Sequence, residues 1–236
     1  MTQASGLPPS HPKASLLHST RGESSEILAF QPPSLNISQR PCPHLSPLDR
    51  QLLPRGLVAF RAYSTVRAGG AVCPWGGLGY FEVEVLHAGT ATQFGVCSPE
   101  WPGQAGFSGD GVGDDGPSWG VDGSRALKWH AGSEDPFGGR WRAGDVVGLA
   151  CDLRGGGAAG GGRMLASLNG DFSPPYGAAF DLPPAGLEGG LCPALTAQSG
   201  LYRCNLGGGG RPFRHAPPSS EYRGMAAAPT GASGPG

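Results

Sequence analysis

The chain has 236 residues, with 17 Lys and Arg against 18 Asp and Glu, a formal net charge of −1, 43 glycines and 24 prolines. So even a balance provides no field to gather nucleic acid or anionic lipid, and no run of five basic residues occurs, so neither a nucleic-acid nor a membrane partner is expected. Glycine and proline together exceed a quarter of the chain, a sign of low complexity or of many tight turns, and both occur here in different places.

Residues 1–50 carry scattered Pro, Ser and His with only brief apolar clusters such as Ile27–Phe30. They cannot bury enough surface to offset an ordering entropy of about 1–2 kcal/mol per residue, and a disordered Pro/Ser-rich tail is expected. No apolar run there is long enough for a secretory signal, and Glu23 and Glu26 disfavour a transit peptide. The sequon Asn36-Ile37-Ser38 is therefore expected to be silent. The six cysteines, at 42, 73, 97, 151, 192 and 204, contain no C-x-x-C pair. Reduced thiols and an intracellular location, cytoplasmic rather than nuclear, are expected. No segment approaches the roughly 18 apolar residues of a membrane helix.

From Leu52 the apolar density rises. Leu57–Phe60 and Tyr63–Val66 read as short strands before the turn at Gly69-Gly70. From Gly79 the pattern alternates strictly, with Phe81, Val83 and Val85 on one face and Glu82 and Glu84 on the other, the two-residue period of a half-buried strand. Phe94 and Val96 repeat it, and Val147, Leu149, Cys151 and Leu153 form a third apolar face, opposite the smaller Val146, Gly148 and Ala150. The glycine-rich run 155–162 reads as an expanded hairpin loop before Met164–Asn169, since loop closure costs rise only logarithmically with length. Asn169-Gly170 is a strong hairpin-turn signal, and Leu191–Ala197 and Leu201–Leu206 supply two further strands. Nowhere does an apolar stripe of helical period persist for three turns, so the expected class is all-β.

The stretch Gly111–His130, GVGDDGPSWGVDGSRALKWH, reads as a glycine-rich turn followed by strands at Ser118–Asp122 and Arg125–His130 joined at Asp122-Gly123. Together with GYFEVEV from Gly79, QFGVC from Gln93, WRAGDVVGLACDL from Trp141 and SLNG from Ser167, it resembles the SPRY domain family. The form is the short one without a PRY segment, similar to those embedded in large ubiquitin ligases and ryanodine receptors. The resemblance implies a single antiparallel β-sandwich of concanavalin-like type over residues 51–222, with a second disordered tail at 223–236. It also implies a monomeric, non-enzymatic protein-interaction module without cofactor or metal, whose loops recognise a protein or peptide segment, as a substrate adaptor of a ubiquitin ligase would.

Other motifs in so glycine-rich a chain have to be weighed by context. Gly111-x-Gly113-x-x-Gly116 satisfies a dinucleotide fingerprint, yet Asp114 and Asp115 would repel a pyrophosphate and Pro117 follows where a helix should begin. Gly116-x-Ser118-x-Gly120 fits a nucleophile elbow, with His215 downstream and Asp145, Asp152 or Asp171 between, but the elbow needs a strand-to-helix turn. Asp110, Asp114, Asp115 and Asp122 lack the spacing of a calcium loop and read as turn caps. Trp129 and Trp141 read as core. Trp101 lies in the loop SPEWPG, which with Tyr63 and Arg67 is the best candidate for a partner-contacting surface. Asp115 and Trp119 belong either to that surface or to the scaffold behind it. The candidate partner-binding residues are therefore Tyr63, Arg67, Trp101, Asp115 and Trp119. A carbohydrate-binding sandwich and a serine hydrolase are the alternatives.

Overall fold

The computed structural model describes residues 50–53, 56–68, 72–102, 111–155, 157, 160–208 and 210–226. Of the expected tail at 1–50, residues 1–49, with Cys42 and the sequon, lie outside the described residues, as does the end of the second tail at 227–236. The strands in chain order are β1 (Arg50–Leu53), β2 (Leu57–Phe60), β3 (Ser64–Arg67), β4 (Leu78–His87), β5 (Gln93–Cys97), β6 (Ser118–Asp122) and β7 (Leu127–His130). They continue with β8 (Ser133–Pro136), β9 (Val146–Asp152), β10 (Gly162–Leu168), β11 (Gly177–Leu182), β12 (Cys192–Ala197), β13 (Gly200–Asn205) and β14 (Arg223–Gly224).

Two sheets face each other. Sheet A runs β1-β2-β13-β4-β9-β10-β11, and sheet B runs β3-β12-β5-β6-β7-β8. All pairings are antiparallel except that of β14. β13 leaves β4 at the pair Asn205↔Glu82, and β14 takes up the freed edge in parallel at Gly79 and Tyr80. Among the described residues there is no α-helix, and none long and apolar enough to cross a membrane.

The alternating faces predicted from sequence meet between the sheets. Phe81, Val83 and Val85 of β4 and Val147, Leu149 and Cys151 of β9 pack with Phe94 and Val96 of β5 and with Trp119 and Val121 of β6. Tyr202 stands at the centre, edge-on to Phe60 and Phe94 at centroid distances of 5.9 and 5.0 Å, while Trp141 stacks on Phe94 at 4.7 Å. The Tyr202 hydroxyl accepts from Gly89 N and donates to the Ser199 carbonyl, both at 3.0 Å, so the polar tip of this buried ring is satisfied. At the predicted turn Asn169-Gly170 both residues have positive φ, 53° and 84°, as a two-residue hairpin turn of matching twist requires. The turn after β6 is longer than Asp122-Gly123. The buried Asp122 carboxylate accepts from Ser124 N at 2.8 Å and Arg125 N at 3.0 Å, and β7 starts only at Leu127.

Neither sheet leaves its outer face bare. On sheet A the residues 210–222 cross the face opposite the core as a strap. Phe213 packs edge-on against Tyr80 at 4.7 Å, and the carboxylate of Glu82 accepts the backbone amides of Arg214 at 2.8 Å and His215 at 2.7 Å. Glu82 is 2% exposed, so the polar face of the β4 alternation lies under a strap instead of in water. The same strap continues past residue 222, the expected end of the domain: β14 pairs at Arg223–Gly224, and Met225 is buried in the core.

Candidate functional site

On sheet B, the register places Arg67, Ala194, Gly95, Gly120 and Trp129 in one row across the outer face, next to a row of Thr65, Thr196, Gln93, Asp122 and Leu127. The glycines make a floor low enough for another chain segment to lie on. A Cβ on Gly120 would stand 2.2 Å from the Val112 carbonyl oxygen, so any side chain there would lift the segment 111–117 off the sheet. Val112 is fully buried on this floor, in a second small cluster with Cys97, Trp101, Cys192 and Ala194. Its amide donates to Thr196 Oγ1 at 3.0 Å, and Thr196 pairs with the Thr65 hydroxyl at 2.6 Å.

Two adjacent aspartates fasten the segment. Asp114 accepts Gly111 N at 2.6 Å and Gln93 Nε2 at 2.9 Å, and the Tyr63 hydroxyl lies between Asp114 Oδ2 at 3.3 Å and Gln93 Oε1 at 3.1 Å. Asp115 accepts the indole N–H of Trp101 and the hydroxyl of Ser118, each at 2.5 Å. Arg67 donates through Nη1 to the carbonyl of Pro99, tying the following loop to β3. Tyr63 from the β2–β3 turn, Arg67, the loop 98–102 and the segment 111–117 therefore form one hydrogen-bonded surface. Three of the five predicted residues, Tyr63, Arg67 and Asp115, are half-buried members of it.

The other two are not surface anchors. Trp101 is 2% exposed beneath the segment 111–117, and Trp119 is 4% exposed on the inner face of β6, stacked on His130 at 4.8 Å. Both hold the surface in place from below. Trp129 was expected in the core, but the pair Gly120↔Trp129 puts it on the outer face, half-buried beside Gly113. The Arg125 guanidinium covers its ring at 4.4 Å, and its buried indole N–H has no acceptor among the described residues. The signal that could have found it was present in the hairpin register: a large ring opposite a glycine faces the same side as that glycine.

Ser118 is fully buried, with its hydroxyl on Asp115, whereas His215 lies in the strap over sheet A, so the hydrolase arrangement suggested by their order is not assembled. Asp114, Asp115 and Asp122 bond turn amides and neighbouring side chains, and Asp110 lies outside the described residues. Among the described residues no group of three or more His, Cys, Asp or Glu is placed to hold a metal.

Residues 79–159, from the start of β4 into the β9–β10 loop, match the family model of the SPRY domain. The chain is also similar to the E3 ubiquitin-protein ligase RKP of Arabidopsis thaliana, 32% identical over 179 residues, which cover 75% of this chain. It spans only 12% of the length of that protein. The motifs, the two antiparallel sheets and the matched span agree, and the sandwich is a SPRY domain, a protein-interaction module.

Proposed function

We propose that the outer face of sheet B around Tyr63, Arg67, Asp114, Asp115 and Trp129 receives a segment of a partner protein, and that the chain presents this partner to a ubiquitin ligase. The observation that carries the reading is the fastening of three separate chain segments into one half-exposed polar and aromatic surface by the carboxylates of Asp114 and Asp115. Such preorganisation lowers the ordering cost of binding, and aromatic and Arg side chains on a rigid frame are the usual source of interface energy. Trp129 adds an indole donor that has no acceptor among the described residues, beside the guanidinium of Arg125, which the buried Asp122 carboxylate, 2.5 Å from its Nε, holds over the ring. The adaptor role draws on the likeness to RKP, named as an E3 ubiquitin-protein ligase.

Affinity purification with the full chain, repeated with Tyr63→Ala, tests the surface. Proteins captured by the native chain and lost from a variant that still unfolds at a near-native denaturant midpoint support it, followed by a measured drop in affinity for the leading protein. An unchanged captured set moves the binding surface elsewhere. Absence of every ubiquitin-ligase component from the captured set removes the adaptor role but leaves the binding surface.

A further inference from the structure

On the opposite sheet, the carboxylate of Glu84 is shared by three guanidiniums. Arg203 Nη1 donates to it at 2.8 Å and Arg214 Nη1 at 2.5 Å, while Arg211 Nη2 stands at 3.7 Å, too far for a hydrogen bond. The neighbouring Glu82 offers no relief, because its oxygens are engaged by the amides of Arg214 and His215 and by the Tyr80 hydroxyl. A carboxylate has about four acceptor positions and each guanidinium about five donors, so most of the N–H groups of the three arginines find no acceptor on Glu84. Their side chains are 32%, 37% and 51% exposed, which turns the surplus donors toward solvent. Holding the strap on the sheet needs no third cation; Arg211 adds repulsion and gains no hydrogen bond from Glu84.

We propose that these arginines form an oxyanion site for the phosphate monoester of a phosphorylated Ser or Thr in a partner segment. Glu84 at the base fixes two guanidiniums through charge-assisted hydrogen bonds, and their outward edges, with Arg211, can donate to the several oxygens of one phosphate dianion. The cations converge on a single carboxylate instead of repeating along a groove, and the whole chain is weakly acidic. Both features favour one compact phosphate over a nucleic-acid backbone or a lipid surface. The site stands on sheet A, so it does not depend on the surface around Tyr63.

The test is a titration of the full chain with O-phosphoserine, followed by NMR at the backbone amides and Arg Nε–H groups, beside parallel titrations with glutamate and with chloride at matched ionic strength. Saturable shifts in the millimolar range at Arg203, Arg211 and Arg214 are expected with phosphoserine, weaker by at least about fivefold with glutamate. Arg211→Ala should reduce the phosphoserine affinity by about fivefold or more while leaving the rest of the spectrum native, since Arg211 makes no hydrogen bond to Glu84. Equal responses to phosphoserine and chloride would overturn the proposal. So would equal affinity for glutamate, or binding unaltered in Arg211→Ala. If that variant is not folded, Arg211→Gln in the same titration decides.

Discussion

Trp101 lies in a loop of Ser, Pro, Glu and Gly, a composition that marks surface, yet its ring is buried because Val112 and Asp115 fold over it. Composition reports the backbone path; it does not report which face of the loop the sheet takes. Trp101→Ala should therefore cost about 3–5 kcal/mol, as truncation of a large buried ring does, seen as a lower denaturant midpoint with little change in slope. A native midpoint would return the ring to the surface. Glu84 is misread for a similar reason. Alternation places it away from the core, where a charge reversal would be nearly neutral in water, but its side chain is 14% exposed among three arginines. Glu84→Lys adds a cation to cations and should destabilise by more than about 1 kcal/mol, which thermal melting at low and high salt would detect. Burial also sets the chemistry of the cysteines. Burial pushes the Cys73 thiol up to about 12, and those of Cys97 and Cys151 well above the ordinary value of 9.0. At pH 8 they stay protonated in the folded chain, so iodoacetamide should label them only after denaturation, as peptide mapping by mass spectrometry would show. Because these thiols ionise first in the unfolded chain, the stability they contribute is intact below about pH 9 and falls as the pH rises toward 12.

Strands β4, β5, β6 and β9 were legible because an apolar residue at every second position is forced by a sheet with one face in the core. Others were not legible, for distinct reasons. β8 is Ser-Glu-Asp-Pro, exposed throughout, and it exists through pairing with β7 alone, so it carries no burial pattern to read. β11 alternates only weakly, with Ala179 and Leu182 as its buried apolar residues. β14 has two residues, and its position is set by the edge of β4 that β13 vacates and by the burial of Met225. That element carries a prediction about the domain boundary. A chain ended after residue 222 loses β14 and Met225, and should be less stable than one ended after 226 by about 2–5 kcal/mol, the usual cost of removing a buried Met side chain. Equal midpoints in guanidinium titrations of the two would place the boundary back at 222 and make the last strand an accessory.

At the scale of the molecule, one core supports two covered faces, and what covers each face differs. Over sheet A the strap carries Arg211 and Arg214, two of the three basic residues around Glu84; over sheet B the segment 111–117 carries Asp114 and Asp115 beside Tyr63 and Trp129. Sequence reading named Tyr63, Arg67, Trp101, Asp115 and Trp119 together but could not separate half-buried residues, proposed to touch a partner, from buried ones that support the surface, since both kinds fall in the same short stretches. Stability and binding should separate them. Tyr63 is half-buried, and its hydroxyl shares acceptors that retain other donors, because Asp114 keeps Gly111 N and Gln93 Nε2. Tyr63→Ala should then change stability by no more than about 1–2 kcal/mol while weakening the partner at least about tenfold. Trp129→Ala should follow the same pattern, because the ring lies on the outer face and not between the sheets. Trp119→Ala should lower stability by about 3–5 kcal/mol and, measured where it is still folded, bind the partner nearly as well as the native chain. Denaturant midpoints and dissociation constants for the three variants test the division. A folded Trp119→Ala chain that has lost binding while Tyr63→Ala and Trp129→Ala retain it would show that the partner is gripped from the edge of the sandwich, between β7 and β11, and not from the outer face of sheet B.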